Sequence, residues 1–192
     1  MKEKIKFTFF KSLRFRIMVI LVVIGIVPSF IVKNVVVNSY ETRAVSIREV
    51  NLKNQCDILG NQLMKENYLR EPDSDVINGE LSMLSAIYNG RILIINKDAK
   101  IIKDTYDIDV GKYALSEEVI QCFEGKSTAN YDDKNAYIEM TSPITKMDSN
   151  TIEGVMLVSI STSEIEDSID MLENRGNLLL SIICILVLVL GY

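Results

Sequence analysis

RILIINKDAKIIKDT, the stretch from Arg91 to Thr105, decides how the middle of the chain folds. Within it, two short apolar runs flank the polar segment NKDAK. Isoleucine-rich runs on either side of a polar, turn-forming segment are typical of a β-hairpin. The sequence therefore predicts one strand from Ile92 to Ile95 and a second strand that begins at Ile101.

A hydrophobic segment near the start of the chain has the length of a membrane span. Residues 17–37 read IMVILVVIGIVPSFIVKNVVV, and Lys33 is their only charged residue. A helix of this length extends about 31 Å, close to the ~30 Å hydrocarbon core of a bilayer. The run is long for a signal peptide and no A-x-A-like cleavage site follows it, so it predicts an uncleaved anchor.

The charges on either side of this segment predict its orientation. Residues 1–16 hold six basic residues and one acidic residue, whereas residues 38–177 hold 14 basic and 25 acidic residues. Because basic flanks stay in the cytoplasm, we expect the N-terminus inside the cell and the acidic segment outside it. The acidic balance also argues against nucleic acid as a partner.

A second hydrophobic segment lies at the other end of the chain. Residues 178–192, LLLSIICILVLVLGY, carry no charge and lack the polar stripe of a surface helix. Their helical length of about 22 Å is short for a span, so we expect an incomplete second transmembrane helix, with a cytoplasmic output part missing. The predicted parts are a cytoplasmic N-terminus (1–16), a first transmembrane helix (17–37), an extracytoplasmic helical stalk (38–80), a folded core (81–163), an exit helix (164–177) and the incomplete second transmembrane helix (178–192).

A long helix is predicted to continue from the first span. Residues 39–69 contain no Pro and a single Gly, and Pro72 is expected to end the helix. Apolar residues on this helix repeat in a heptad-type seam. Such a seam packs on its own domain, which is the commoner fate, or on a second copy of the helix in a homodimer. The seam residues are Val45, Leu52, Cys56, Leu59 and Leu63.

The remaining pattern predicts an α+β domain. A short helix is expected at residues 80–88, and another after Ser116 as the N-cap, with Gly125 as its C-terminal glycine. Three further strands are expected at residues 127–131, 136–146 and 152–161. Consecutive short strands joined by turns favour an antiparallel sheet with helices packed on it.

This layout resembles a known class of sensor domain. The likeness covers about residues 81–163 and rests on four runs: GRILIINKDAKIIKDTYDIDVGK, SEEVIQCFEGK, AYIEMTSPI and EGVMLVSIST. They are similar to the sensor region of bacterial membrane histidine kinases, whose extracytoplasmic PAS-like domains are called Cache or PDC domains. Because these are strand-and-turn motifs, the resemblance specifies the fold better than the ligand.

The resemblance implies a PAS-like, five-stranded antiparallel sheet with a long N-terminal helix, flanked by two transmembrane helices. It implies a multi-pass receptor of the plasma membrane that senses an unknown small molecule or protein outside the cell. In such a receptor a cytoplasmic kinase part, absent here, binds ATP and Mg, phosphorylates its own histidine and passes the phosphate to a response regulator. Chemoreceptors and diguanylate cyclases use the same input domain, and a non-signalling two-span protein that binds the cell wall or a protein partner is the alternative from another class.

The composition excludes several kinds of chemistry within this chain. It contains no His, so a phosphoacceptor histidine, a Ser-His-Asp triad and a Cys-His pair are impossible here. It also lacks the G-x-x-x-x-G-K-[ST] and G-x-G-x-x-G runs that bind nucleotides. We therefore expect an input module with no catalytic residue and no cofactor of its own.

The cysteines allow one disulfide but do not require it. Cys56 and Cys122 are both expected outside the cell, where a disulfide is permitted, while Cys184 lies in the second hydrophobic segment. No spacing pattern supports a pair, and both outer cysteines stand among apolar residues. The favoured interpretation is two buried small hydrophobic side chains.

Candidate ligand residues follow from the resemblance, because in PAS-like folds the sheet face and the loops over it form the pocket. Tyr137, Glu139 and Thr141 alternate with apolar residues and so share one strand face. Arg91 is a candidate partner for an anionic ligand. A polar strand side that simply faces solvent is the alternative. The ligand-binding candidates are Arg91, Tyr106, Tyr113, Tyr131, Tyr137 and Glu139.

A candidate metal site lies in the loop after the second strand. Asp104, Asp107 and Asp109 stand close together in the segment DTYDID, and clustered carboxylates are ligands for a hard cation such as Ca²⁺. Their spacing is not that of an EF-hand loop, so a solvated acidic loop is the alternative.

Overall fold

The computed structural model describes residues 13–146, 149 and 151–191 of the chain. Most of the predicted cytoplasmic N-terminus, residues 1–12, and the last predicted residue, Tyr192, lie outside the described residues. The elements are α1 (Leu13–Lys65), α2 (Asp75–Ile87), β1 (Gly90–Asn96), β2 (Ile101–Asp104), α3 (Glu117–Phe123), β3 (Ala129–Asp132), β4 (Tyr137–Thr145), β5 (Ile152–Ser161) and α4 (Ser163–Gly191).

The chain divides into two compact units. One unit, here called the sheet unit, comprises Ala44–Glu164. The other, here called the helical unit, comprises Met1–Arg43 together with Ile165–Tyr192. Most of the segment predicted as a separate stalk, residues 38–80, therefore belongs to the sheet unit. The predicted part boundaries themselves stay predictions.

The sheet unit is built on five antiparallel strands in the order β2-β1-β5-β4-β3. The predicted hairpin forms its β1–β2 edge. In its turn, the Asn96 side-chain oxygen accepts hydrogen bonds at 3.0 Å from the backbone amides of Asp98 and Lys100. The predicted α+β class, with a five-stranded antiparallel sheet and a long N-terminal helix, is confirmed.

One face of the sheet is covered by the first two helices. Ile92, Val158 and Met140 lie side by side across β1, β5 and β4, and all three are buried. On the same face, the Leu69 side chain that follows α1 lies 3.2 Å from where a Cβ on Gly154 would be, and α2 contacts β1. Helices α1 and α2 therefore pack on this face.

The opposite face carries a smaller core, formed mainly with α3. This core covers only one end of that face, because the neighbouring row of side chains across the strands is polar. The members of this core are Leu93, Ile95, Ile101, Val119, Cys122 and Val155.

The apolar seam of α1 is buried inside the sheet unit. All five seam residues are buried, and Leu52 and Leu63 have no exposed surface. Side chains that are already covered by their own domain are not available to a second copy of the helix. The burial of Val45, Leu52, Cys56, Leu59 and Leu63 agrees with packing on their own domain, the commoner of the two alternatives, rather than with a homodimer seam formed by these side chains.

Two helix ends differ from the predicted ones, the C-terminus of α1 and the N-terminus of α2. α1 ends at Lys65, before Pro72, because Asn67 adopts a left-handed conformation with φ of 53°. The amides of Asn67 and Tyr68 donate to the carbonyls of Met64 and Leu63, at 3.2 and 3.0 Å. These two bonds form a Schellman motif. α2 begins five residues earlier than predicted, because Ser74 caps it.

Cys56 and Cys122 are both buried and free, in agreement with the favoured interpretation. Burial raises the pKa of the Cys56 thiol to about 12, and the charge of Asp57 adds to the effect. Burial also raises the pKa of Cys122, against a hydrogen bond with Thr141 that lowers it. Neither thiol is expected to be reactive at neutral pH.

Among the described residues, one helix is long and apolar enough to cross a membrane: it lies in Val19–Lys65, and an 18-residue window within it has a mean hydropathy of 2.4. α4 extends through most of the second hydrophobic segment. Its role as a second span stays a prediction.

Candidate functional site

A row of polar side chains crosses the sheet next to the α3 core. Arg91 on β1, Ser159 on β5, Glu139 on β4 and Asn130 on β3 are successive partners in register. We call these four residues the polar row. Because β-strand side chains alternate, the row lies on the same face as Leu93 of the α3 core, two residues from Arg91. Ser159 donates a hydrogen bond to Glu139 at 3.2 Å.

Arg91 is held by two carboxylates at the β2 end of the polar row. Its Nε donates to Asp104 Oδ1 at 2.9 Å and its Nη2 to Asp104 Oδ2 at 2.5 Å. The same Nη2 also donates to Asp109 Oδ2 at 2.6 Å. A bidentate pair of this kind fixes the guanidinium in the plane of the carboxylate.

The Asp104 carboxylate is fully buried, and its oxygens are fully used. Besides Arg91, it accepts hydrogen bonds at 2.9 Å from the backbone amides of Tyr106, Ile108 and Asp109. Burial alone would raise the pKa of Asp104, but the hydrogen bonds from Arg91 and the three amides outweigh it and hold the pKa below its ordinary value. The pair therefore stays ionised at neutral pH and fixes the loop after β2.

The predicted metal site at Asp104, Asp107 and Asp109 is wrong. Asp104 and Asp109 turn their oxygens to Arg91, and Asp109 also pairs with Lys112 at 2.5 Å. Asp107 points elsewhere and pairs with Lys103 at 3.5 Å. The described residues contain no group of three His, Cys, Asp or Glu side chains that could hold a metal ion.

Arg91 is likewise not placed to bind an anionic ligand. Two carboxylates already balance its charge, and the hydrogen bond with Asp104, followed by that with Asp109, raises its pKa above its ordinary value. Arg91 therefore forms an internal ion pair. A sequence alone does not distinguish an arginine that pairs with internal carboxylates from one that binds an anionic ligand.

Three of the predicted ligand residues line one cleft. Tyr131, Tyr137 and Glu139 border a surface cleft of about 440 Å³ on β3 and β4. Four carboxylates and a single Lys line this cleft. Their full set is Glu118, Asp132, Asp133, Glu139 and Lys134. The charge of the cleft is thus negative, which favours a ligand that carries a cationic group.

The other three candidates do not line the cleft. Arg91, Tyr106 and Tyr113 belong to the β1–β2 side of the sheet, whereas β3 and β4 form the opposite side. The side chains of Tyr106 and Tyr113 are exposed. The six predicted ligand residues therefore do not form a single pocket.

Two features of this unit were not predicted from the sequence. Ser159 completes the polar row, and its place in the apolar strand VMLVSIS is a signal that could have identified it. The second feature is Arg48 on α1, whose Nη1 donates to Glu164 Oε2 at 3.2 Å and whose Nη2 donates to the Ser161 carbonyl at 3.5 Å. Its guanidinium also lies 5.1 Å from the centre of the Tyr88 ring. These partners are far apart along the chain, and no motif marks them.

Comparisons with known proteins show a similarity of backbone fold and no match in sequence. No protein-family model matches the chain, and no curated protein matches it. Among solved structures, it is similar to the sensor domain of the V. cholerae histidine kinase DctB, at 14% identity over 70% of this chain and 59% of that one, with a TM-score of 0.46.

Two further structures show a likeness of the same degree. One is the ligand-binding domain of the Campylobacter jejuni chemoreceptor Tlp3 in complex with L-valine, at 14% identity over 69% of this chain and 60% of that one, with a TM-score of 0.45. The other is a domain of a sensory box/GGDEF family protein from Vibrio parahaemolyticus, at 12% identity over 65% of this chain and 57% of that one, with a TM-score of 0.41. The chain spans about three fifths of the length of these structures.

Proposed function

We propose that this chain is the sensory input module of a membrane receptor. One observation supports the proposal above the others: both connections between the sheet unit and the helical unit lie within helices. α1 runs without a break from Leu13 to Lys65, and α4 from Ser163 to Gly191. A helix transmits a displacement along its length, whereas a flexible loop absorbs it.

The proposed path of the signal starts at β5, the central strand. β5 carries Ser159 of the polar row and ends at Ser161, and α4 begins after a single buried residue, Thr162. Arg48 of α1 contacts both the Ser161 carbonyl and Glu164 at this point. A shift of β5 would therefore change how the start of α4 is held on α1.

The cleft at Tyr137 and Glu139 is the proposed stimulus site. Its negative charge and its two tyrosines suit a small polar molecule with a cationic group. Such a ligand moves the receptor only by the difference between its affinities for the two states, typically about 1–3 kcal/mol.

The stimulus site is tested by binding to the full chain in mild detergent. A panel of small amines and matched neutral molecules is screened for a rise in unfolding temperature. Glu139→Gln should abolish the response to an amine that binds, because it removes a carboxylate from the cleft. Glu124→Gln, an exposed position on the chain that does not line the cleft, should leave the response unchanged. Equal responses in the two variants would exclude the cleft.

We further propose that the parent receptor is a histidine kinase. ATP and Mg would then bind only in a cytoplasmic part, which passes phosphate to a response regulator. An alternative parent, a chemoreceptor or a diguanylate cyclase, is distinguished by its output. Full-length protein in membrane vesicles should incorporate label from ATP into histidine; production of cyclic dimeric GMP instead would identify a cyclase.

The coupling itself is tested in the full-length receptor. Ile169→Pro removes a backbone donor from α4 and clashes with the preceding turn, at about 3 kcal/mol or more to the helix. We expect the output to stay at one level whatever the stimulus. Ile169→Ala keeps the helix and should respond normally. A stimulus response in the proline variant would show that the signal does not pass through α4.

A further inference from the structure

Within the helical unit, the two apolar helices pack antiparallel, and the uncharged run of each helix ends at the same level. Gly176 of α4 lies opposite Lys33 of α1, since a Cβ on Gly176 would be 2.8 Å from Lys33 Cγ. Further along, Ile183 lies opposite Gly25, with Cγ2 3.5 Å from a Cβ built there. Lys33 Nζ donates to the Asn177 side chain at 2.7 Å.

This level coincides with the end of the uncharged run on each helix. On α1, residues 17–32 carry no charge and Lys33 follows them; on α4, Arg175 is the last charged residue before the uncharged residues 176–191. The hydrogen bond from Lys33 to Asn177 therefore lies within two residues of the boundary on each helix. In a bilayer, such a level marks the border between acyl chains and headgroups.

A groove between the two helices crosses this border. Its volume is about 490 Å³, within the range of about 300–1,000 Å³ that is usual for small-molecule sites. Val32, Leu179 and Ile183 line it on the apolar side of the border, while Lys33 and Arg175 supply its two cationic groups. The described residues that line the groove include no Asp or Glu.

We propose that this groove binds a phospholipid with a net negative headgroup. One acyl chain lies along Val32, Leu179 and Ile183, and the headgroup phosphate pairs with Lys33 and Arg175. Lys33 has donors to spare, because Asn177 uses one of three. The assignment depends on charge complementarity: the groove is apolar, carries two cations at the level of the border, and has no carboxylate among the described residues that line it. It rests on the proposed function, since it requires the helical unit to lie in a membrane.

The test is native mass spectrometry of the full chain in detergent, titrated with dioctanoyl-phosphatidylglycerol or with dioctanoyl-phosphatidylcholine. We expect an approximately thirty-fold preference for the glycerol headgroup, which corresponds to ~1 kcal/mol for each of two basic residues at an anionic surface. The double variant Lys33→Gln with Arg175→Gln should lose this preference. The matched variant Lys53→Gln with Lys65→Gln, at exposed positions outside the groove, should keep it.

A second variant examines the acyl side of the groove. Val32→Trp fills the groove at a position whose side chain is exposed, so it should weaken both lipids by about tenfold without changing the headgroup preference. Equal binding of the two lipids by the wild type would overturn the proposal. A dimer that forms without lipid and is broken by Val32→Trp would also overturn it, because a second copy would then cover the groove.

The same material separates this proposal from the proposed function. After alkaline extraction of cell membranes, a chain found in the aqueous fraction contradicts the membrane receptor. A chain that remains in the membrane but shows no headgroup preference contradicts only the lipid site.

Discussion

At the scale of single residues, the Arg91–Asp104 pair occupies groups that the sequence offers as two separate binding sites. An arginine at a strand start and three aspartates in a loop suggest ligands when they are considered one by one. The β1–β2 pairing places Leu93 opposite Asp104, so Arg91 and Asp104 are diagonal neighbours on one face. Their charges therefore neutralise each other inside the protein.

This pair predicts a large effect of a small change. Asp104→Asn keeps the volume but removes the charge that Arg91 and three backbone amides require. Loss of one partner of a buried pair costs about 3 kcal/mol or more, so the amides of β1 and β5 should exchange about 150-fold faster in hydrogen-exchange mass spectrometry of the full chain.

Asp107→Asn is the matched control for this substitution. The residue lies in the same loop, but its side chain is exposed and its ion pair is with Lys103. A surface pair of this type contributes about 0–1 kcal/mol, so exchange should change little. If the two variants behave alike, the buried pair does not stabilise the sheet.

The same carboxylate predicts a dependence of stability on pH. Because the folded-state pKa of Asp104 is lowered, the unfolded chain binds more protons below the ordinary Asp pKa of about 3.9. The stability from this residue is thus complete above about pH 4 and is lost as the pH falls towards the lowered pKa. Thermal unfolding followed by circular dichroism should show a smaller acid loss in Asp104→Asn than in the wild type; an unchanged acid profile would contradict the assignment.

At the scale of elements, local sequence signals were sufficient to predict the β1–β2 hairpin and helix α3. The turn NKDAK and the glycine after α3 act within a few residues of the structure they determine. Gly125 adopts φ of 90° and its amide donates to Cys122 at 3.0 Å, as a C-terminal glycine should. The end of α1 was not predictable in this way, because Asn67 takes a conformation that Asn adopts only occasionally.

For the α1 seam, the sequence predicted which side chains are buried but not which surface covers them. The heptad spacing identified five side chains that are all buried, yet spacing alone is the same for a seam on a sheet and a seam on a second helix. The structure shows that the seam is covered within the chain itself. The ligand candidates are divided between the cleft and the β1–β2 side of the sheet for a related reason: sequence order does not show that β2 and β3 are opposite edges.

The seam gives a prediction for α1. Leu52→Ala removes a fully buried side chain and leaves a cavity, which should lower the unfolding free energy by about 2–5 kcal/mol. Val50→Ala, two residues earlier and 56% exposed, should change it by less than about 1 kcal/mol. Thermal unfolding of the full chain in detergent measures both. Comparable losses in the two variants would show that the exposed side of α1 is also covered.

At the scale of the whole molecule, the two units differ in how much apolar surface they expose along their helices. The sheet unit buries an apolar core and also exposes apolar side chains such as Val50 and Leu115, whereas the uncharged run of each helix in the helical unit exposes a succession of large apolar side chains such as Ile24, Phe30 and Leu179. Exposed apolar surface of this extent requires a lipid or protein cover. The charge contrast then predicts which side of the membrane each end occupies.

The orientation is tested with fusions to alkaline phosphatase, which is active only where disulfides form. A fusion after Tyr40 and a fusion after Asn174 should both be active, because the basic residues 1–16 hold the start of α1 in the cytoplasm and the acidic sheet unit is exported. A fusion after Arg16, which lacks the apolar run, should be inactive and serves as the control. Replacing the six basic residues of that segment with Gln should reduce the activity at both outer positions, because the signal that retains the N-terminus is lost. Inactive fusions after both Tyr40 and Asn174 would place the sheet unit inside the cell, where an extracellular stimulus could not reach the cleft at Glu139, and an inactive fusion at either point alone would contradict the predicted arrangement.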